Sequence, residues 1–189
     1  MTSNTIETSS AVETLATQSR ENDNKFLAFT LGDEVFGVEI LKIREIIGVI
    51  DITPLPQMPE FVKGVINLRG KIIPVIEMRT KFGLESVPYT EETCIIVVEV
   101  EEKSTGDQFQ MGVIVDTVRE VRDVPASQIE PAPAFGCAVS TEYILGMGKV
   151  SDGVVILLDI DGVLSQGELT KLNQAAQTDA SAPPSVGTD

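Results

Sequence analysis

The sequence contains no histidine and no tryptophan, and it has only two cysteines among 189 residues. Without histidine, it lacks the commonest general base near neutral pH and the commonest metal ligand. Cys94 and Cys137 are far apart in the chain and neither stands beside a candidate base. This spacing favours two reduced thiols over a disulfide framework or a metal site.

Basic surface and long apolar runs are also scarce. A net charge of −15 argues against nucleic acid and anionic membranes as partners, because both are bound by basic faces. The longest apolar runs, such as residues 154–158, fall well short of the roughly 20 residues that a membrane-spanning helix needs. The N-terminus has no basic region followed by an apolar segment, so no signal peptide is predicted.

Motifs for phosphates and cations are absent or incomplete. No Gly-x-x-x-x-Gly-Lys-Ser/Thr loop occurs, and Gly146-Met147-Gly148 lacks the third glycine of a dinucleotide fingerprint. Asp159-Ile160-Asp161-Gly162 is one acid short of a calcium loop, and we interpret it as a strand that ends in an acidic turn. The sequence therefore predicts no catalytic residues, no metal and no cofactor, and hence no enzyme.

Short β-rich segments separated by turn signals fill the middle of the chain, which predicts an all-β fold. The ends differ in composition. Residues 1–24 predict a disordered arm, and residues 169–189 predict a short helical turn followed by a disordered tail. The predicted strands are 25–31, 35–40, 44–50, 65–68, 71–77, 93–100, 109–115, 118–123, 143–149 and 154–160.

An internal repeat organises these strands. Residues 37–46 align without gaps on residues 112–121, with Gly, Val, Arg and Glu identical. The downstream matches follow in the same order: Ile-x-Pro-x-Pro at 52 and 129, Phe61 with Tyr143, and residues 72–78 with residues 154–160. We expect a duplication with units of about 25–85 and 92–168. Each would close into a small β-barrel without exposed edges, and the two would pack together to enlarge a marginal core.

Residues 61–78 predict a β-hairpin with its turn at Arg69-Gly70, where Gly70 supplies the positive φ of a tight reversal. The second copy has Asp152-Gly153 at this turn and so lacks the arginine. Two interpretations of this difference are sequence drift after duplication and a partner-binding role for Arg69. This stretch also concentrates positive charge in an acidic chain. Five of the 14 basic residues fall within residues 63–81, the basic stretch: Lys63, Arg69, Lys71, Arg79 and Lys81.

The order of these motifs closely resembles that of the CheW family of bacterial chemotaxis coupling proteins, over about residues 25–168. The resemblance rests on Val-x-Ile-x-x-Ile-Arg-Glu-Ile at 38–46, Thr-Pro-Leu-Pro at 53–56, Gly-Val-Ile-Asn-Leu-Arg-Gly at 64–70, Ile-Pro-Val-Ile at 73–76 and Val-Ile-Val-Asp at 113–116. It implies two intertwined five-stranded SH3-like β-barrels that share an interface core, with strands able to exchange between the two units.

The resemblance also implies a function. Family members are cytoplasmic, non-catalytic adaptors that join the tips of methyl-accepting chemotaxis receptors to the regulatory domain of the histidine kinase CheA. The candidate receptor-binding residues are Ile43, Glu45, Gly64, Asn67 and Arg69, in a groove between barrels. Barrel edges would meet the kinase, through residues that the sequence does not identify. A ligand-binding β-barrel, or a regulatory subunit of an unrelated enzyme, is the alternative.

Overall fold

The computed structural model describes residues 24–133 and 141–181. Most of the predicted N-terminal arm, the end of the predicted tail and Cys137 lie outside these residues. The described residues form mainly strands: β1 (Lys25–Leu31), β2 (Glu34–Glu39), β3 (Ile43–Gly48), β4 (Val62–Leu68), β5 (Lys71–Glu77), β6 (Cys94–Glu101), β7 (Gln108–Val115), β8 (Thr117–Asp123), β9 (Ile129–Glu130), β10 (Ile144–Val150) and β11 (Gly153–Leu158). There are also two α-helices, α1 (Met78–Lys81) and α2 (Gln166–Ser181). Short 3₁₀ turns precede β3, β9 and β10, at Ile40–Lys42, Ala126–Gln128 and Thr141–Tyr143.

The predicted all-β class is confirmed, and all ten predicted strands are present. Strand β4 begins at Val62, three residues earlier than expected, and its register against β5 shifts between Val62 and Gly64. The two-residue strand β9 was not predicted, because it is too short to show an alternating pattern.

The strands form two sheets with equivalent topologies. The six-stranded sheet has the order β8-β1-β2-β11-β10-β9, and the five-stranded sheet has the order β3-β6-β7-β5-β4. Each contains one parallel pair, β2 with β11 and β5 with β7. The isolated bridge between Thr53 and Val65 on β4 corresponds to the pairing of β9 with β10. Each sheet therefore has five main strands and a short sixth contact.

The two repeats exchange their first two strands. Strands β1 and β2 of the first copy lie in the sheet of β8, β10 and β11, whereas β6 and β7 of the second copy lie with β3, β4 and β5. Neither sheet thus corresponds to a single continuous unit such as 25–85 or 92–168. The two copies meet at the parallel pairs β2–β11 and β5–β7, and the matching glycines Gly37 and Gly112 lie in these pairs. A Cβ on Gly37 would lie 3.1 Å from Leu157 Cδ2 on β11, and one on Gly112 would lie 3.1 Å from Val75 Cγ2 on β5.

The largest buried cluster lies between the sheets. It includes Phe29 and Phe36 from one sheet, Val98 and Met111 from the other, and Leu172 from α2. Stacked rings run through it, with centroids 5.9 Å apart for Phe29 and Phe36. A smaller apolar cluster packs the opposite face of each sheet. The residues are Ile66, Ile73, Val75, Ile95, Val97 and Ile114 in one sheet and Phe26, Val124, Val155 and Leu157 in the other.

Helix α2 corrects the expectation of a short helical turn and a tail, because it runs for 16 residues. It begins with a capping box, in which the Ser165 N–H donates to Glu168 Oε2 at 2.7 Å and the Glu168 N–H donates to Ser165 Oγ at 3.3 Å. Leu169, Leu172 and Ala176 recur at helical spacing and are buried. No helix in the described part of the chain is long and apolar enough to span a bilayer.

Candidate functional site

The turn between β4 and β5 is a two-residue reversal in which both residues have positive φ. Arg69 has φ 55° and Gly70 has φ 84°, which is the pattern of a type I′ hairpin turn. The exposed Asn67 supports it, because its Oδ1 accepts a hydrogen bond of 2.9 Å from the Gly70 N–H. Asn67 is thus placed as a turn-stabilising side chain at the surface.

Arg69 forms a two-pronged ion pair with Glu45 on β3. The NH1 and NH2 groups of the guanidinium donate to Glu45 Oε1 and Oε2 at 3.0 and 2.8 Å. Strands β3 and β4 are the two ends of the five-stranded sheet, so the pair joins the edges that the curled sheet brings together. The Arg69 side chain remains 77% exposed, against 23% for Glu45, so it can meet a partner without breaking this contact.

The other two candidate residues lie behind this surface. Ile43 is half-buried and packs against the shared core. Gly64 is buried with φ 141°, and a Cβ there would lie 1.9 Å from the Thr53 carbonyl oxygen. Thr53 and Val65 exchange two backbone hydrogen bonds of 2.8 Å beside it. Glycine at 64 is therefore required by this close approach of two backbones.

The second sheet carries an equivalent ion pair with the charges reversed. Arg122 on the edge strand β8 donates to both carboxylate oxygens of Asp152, in the β10–β11 turn, at 2.6 and 2.8 Å. Asp152 stands where the first copy has Arg69. Sequence reasoning missed this pair, because the gapless repeat aligns Arg122 with Ile47 and gives no sign of a substitute contact.

Most of the basic stretch that the sequence singled out is committed to contacts within the chain. Lys63 lies 3.4 Å from Glu77, and Arg69 pairs with Glu45. Arg79 contacts Asp116 at 2.6 Å, and Lys81 contacts Glu168 at 3.2 Å. Lys71 is the exception: it forms no ion pair or side-chain hydrogen bond with any residue that the structure describes. The partners lie too far away in sequence for a local pattern to reveal them.

Two of these pairs lower the pKa of their carboxyl group. Burial alone would raise the pKa of Asp116, but hydrogen bonds from the Arg79 guanidinium and the Gly32 N–H outweigh it and hold the pKa below its ordinary value. Burial likewise acts to raise the pKa of Glu168, and hydrogen bonds from Ser165 and Lys81 lower it overall. The Lys81 ammonium, with its side chain only 7% exposed, also lies 4.4 Å from the ring centroid of Phe61.

A surface concavity of about 310 Å³ surrounds the Glu45–Arg69 pair. A neighbouring concavity of about 340 Å³ runs from the hairpin to α2 and includes Pro74, Phe109 and Ala176. Lys71 and Gln110 line both, so the two form one continuous surface. The side chains and backbone around the first concavity belong to Arg44, Glu45, Leu68, Arg69, Lys71 and Gln110.

The acidic turn after β11 is used for internal contacts. Asp161 Oδ2 lies 2.6 Å from Lys42 Nζ, and its Oδ1 accepts a hydrogen bond of 3.0 Å from the Glu101 N–H. These contacts connect the end of one sheet with the other. Across residues 24–133 and 141–181, no group of three or more acidic or cysteine side chains is arranged to hold a metal ion.

Comparison with known proteins places residues 25–168, which contain all eleven strands that the structure describes, in one family. The CheW-like domain matches residues 25–168. The chemotaxis protein CheW of Klebsiella aerogenes is 40% identical over 154 residues, which cover 82% of this chain and 89% of that protein. Protein FrzA of Myxococcus xanthus is 30% identical over 137 residues, covering 72% of this chain and 81% of its own.

A solved structure agrees with the sequence relatives. The crystal structure of the scaffolding protein TtCheW from Thermoanaerobacter tengcongensis superposes with a TM-score of 0.67 at 34% identity, covering 76% of this chain and 88% of that one. The repeat, the two exchanged sheets and the hairpin motif all fall within the matched residues. The chain belongs to the CheW-like domain family.

Proposed function

We propose that this chain is a non-catalytic cytoplasmic scaffold that couples methyl-accepting chemotaxis receptors to the histidine kinase CheA. The match to the CheW-like domain over residues 25–168 carries this proposal. The matching proteins are named as chemotaxis proteins and as a scaffolding protein, not as enzymes. The absence of histidine and of a phosphate-binding loop from the sequence agrees with a function that depends on binding alone.

The receptor would lie against the surface around the β4–β5 turn. Arg69 offers an exposed planar guanidinium there, held in place by Glu45, and Asn67 fixes the backbone beneath it. A receptor tip is a helical coiled coil, and an apolar helix face with flanking charges suits a groove lined by half-buried aliphatic side chains and polar groups. Ile43 would contribute apolar area, whereas Gly64 would act by keeping Thr53 and Val65 paired.

The kinase would meet a sheet edge. The edge strands β3 and β8 each present one exposed aliphatic side chain at equivalent positions of the repeat, Ile46 and Val121, which are 43% and 48% exposed. Exposed apolar side chains on a strand at the end of a sheet are suited to contact with another β protein. Contact through the β8 edge would leave the receptor surface around the β4–β5 turn accessible, as a coupling function requires.

A ligand-binding barrel is disfavoured by the packing. The face of each sheet turned away from the shared core is filled with aliphatic side chains, including Ile66, Val97 and Leu157. A Cβ on Gly148 would lie 2.9 Å from Val124 Cγ1, so even a methyl group would meet its neighbours there. The concavities around the hairpin are open to the surface, which favours recognition of a macromolecule.

Co-sedimentation of the full chain with receptor-containing membranes and CheA tests the proposal. We expect the chain to sediment with receptor membranes, to increase the amount of sedimented kinase, and to change kinase autophosphorylation only when receptors are present. Receptor-free membranes of the same lipid composition are the control. Equal sedimentation with both membranes, or ATP hydrolysis by the pure chain above that of a mock purification, would overturn the proposal.

A further inference from the structure

Lys71 is the cation of the basic stretch that remains available to a partner. It follows the Arg69-Gly70 turn and pairs with Leu68 across the hairpin. Its side chain is exposed, and within the described residues it has no acidic or hydrogen-bonding partner. Lys63, Arg79 and Lys81 are all tied to carboxylates instead. An ammonium group held unpaired on a rigid hairpin can contribute to binding without first breaking an internal contact.

The surroundings of Lys71 supply further hydrogen-bond donors. Arg69 uses only its NH1 and NH2 groups on Glu45, and a guanidinium has five N–H donors in all. Gln110, half-buried on β7, lines the same concavity and carries an amide group. Leu68 gives the concavity an apolar wall. Cationic and amide donors beside an aliphatic wall suit an acidic side chain projecting from an amphipathic helix.

The balance of charge limits the anion to a single negative charge. Arg44 donates to Glu99 through Nε at 3.0 Å, and Arg69 donates to Glu45, so two carboxylates already neutralise two of the three cations around the concavity. One positive charge, that of Lys71, is left. A doubly charged phosphate would be repelled by Glu45 and Glu99, whereas one carboxylate matches the remaining charge.

We propose that Lys71, together with the free N–H groups of Arg69, binds an Asp or Glu carboxylate on the receptor helix, in the concavity that Gln110 and Leu68 complete. This inference rests on the proposed receptor-binding function. It assigns to Lys71 the selection of an acidic position on that helix. The Lys71 side chain forms no ion pair or hydrogen bond with any residue that the structure describes. Replacing it should therefore change the affinity and the salt dependence of binding, and not folding.

Isothermal titration of the full chain with a soluble receptor-tip fragment, at low and high salt, tests this. We expect Lys71→Gln to weaken binding about three- to tenfold at low salt and less at high salt. Lys71→Glu should weaken it further, because its charge repels the carboxylate. Lys171→Gln is the matched control: it removes one exposed lysine on α2, and its affinity should equal that of the wild type.

Neutralising the acidic residues of the receptor fragment one at a time identifies the partner group. On the fragment that lacks the matching carboxylate, Lys71→Gln should have no further effect. If the wild-type chain binds the fragment and Lys71→Gln binds it with the same affinity, this inference is overturned and the proposed function stands. Equal losses for Lys71→Gln and Lys171→Gln also overturn it, because they indicate a long-range charge effect. Failure of the wild-type chain to bind the fragment overturns both.

Discussion

Arg69 forms a structural ion pair and is also exposed to solvent. Comparison with the second copy of the repeat helps to distinguish a structural role from a binding role. Both sheets tie an edge strand to a hairpin turn by a two-pronged ion pair, but the turn supplies Arg69 in one and Asp152 in the other. Either polarity can therefore hold the edges together. The ion pair alone does not explain an arginine at position 69, and we propose that its exposed guanidinium contacts a partner.

Replacing Arg69 by asparagine tests this distinction. Asparagine tolerates the positive φ of the turn, and exposed ion pairs contribute only about 0–1 kcal/mol. We therefore expect Arg69→Asn to change the melting temperature little and to weaken binding of a receptor-tip fragment about tenfold or more. Arg69→Lys should restore only part of the affinity, because lysine lacks the planar fork. Calorimetric titration and thermal denaturation give the two quantities.

Asp152→Asn is the control for Arg69→Asn, since it breaks the equivalent ion pair in the other sheet. Its receptor affinity should match that of the wild type. A large fall in the melting temperature of Arg69→Asn would show that the arginine is chiefly structural. Equal affinities for the wild type and Arg69→Asn would show that it makes no contact with the receptor.

Gly64 differs from the other candidate residues, because the close approach of two backbone segments requires a glycine at this position. A Cβ at 64 would overlap the Thr53 carbonyl oxygen, so Gly64→Ala must separate Thr53 from Val65 and should cost about 2–4 kcal/mol of unfolding free energy. Gly48→Ala is the control, since a Cβ there meets nothing within 4 Å. Urea denaturation measures both. Unchanged stability of Gly64→Ala with lost receptor binding would make Gly64 a contact residue instead.

At the scale of elements, the local sequence pattern predicted the features that depend on residues close together in the chain, namely the strands and the hairpin turn. Alternating β-branched residues identified ten strands, and Gly70 identified the hairpin turn. Helix α2 was underestimated, since its three buried residues are separated by polar ones and the segment that follows is rich in Ala and Gln. The ion pairs that use up the basic stretch join distant segments, such as Lys81 and Glu168, 87 positions apart. A chain read locally shows the charges but not their partners.

The contribution of α2 can be measured at Leu172, which is 1% exposed. We expect Leu172→Ala to lower the free energy of unfolding by about 2–5 kcal/mol, because it removes buried methyl groups and leaves a cavity in the shared core. Lys171→Ala, at the adjacent exposed position, should change it by less than about 0.5 kcal/mol. Guanidinium denaturation followed by circular dichroism compares them. Equal values for the two variants would mean that α2 does not dock as described.

Two half-buried carboxylates, Asp116 and Glu168, predict how stability depends on pH. The pKa values of Asp116 and Glu168 are lowered by folding from ordinary values of 3.8 and 4.5. Their stabilising contribution is therefore complete above these values and is lost as the pH falls through the lower folded-state values. Asp116→Asn should reduce stability at neutral pH by about 1–3 kcal/mol and flatten the acid side of the profile. Urea denaturation at a series of pH values checks this, and an unchanged acid slope contradicts it.

At the scale of the whole molecule, strand exchange makes the two repeats interdependent. Each sheet needs a pair of strands from the other copy to connect its edge strand with its hairpin, as β6 and β7 connect β3 with β5. The largest buried cluster also draws on both sheets and on α2. The two similar halves therefore form one structure, in which neither copy has a complete sheet of its own. This arrangement holds the surfaces of the two sheets at a fixed distance and orientation.

The interdependence predicts the behaviour of the separated copies. A fragment of residues 24–91 keeps β1 to β5, but β3 loses its partner β6 and β5 loses its partner β7. A fragment of residues 92–181 loses β1 and β2 from the middle of its sheet. We expect each fragment alone to show little cooperative unfolding by circular dichroism, because neither buries the shared core. An equimolar mixture should regain the strand signal and elute as one species of the size of the intact chain. A fragment that folds alone with a cooperative transition would show that each copy is an independent unit.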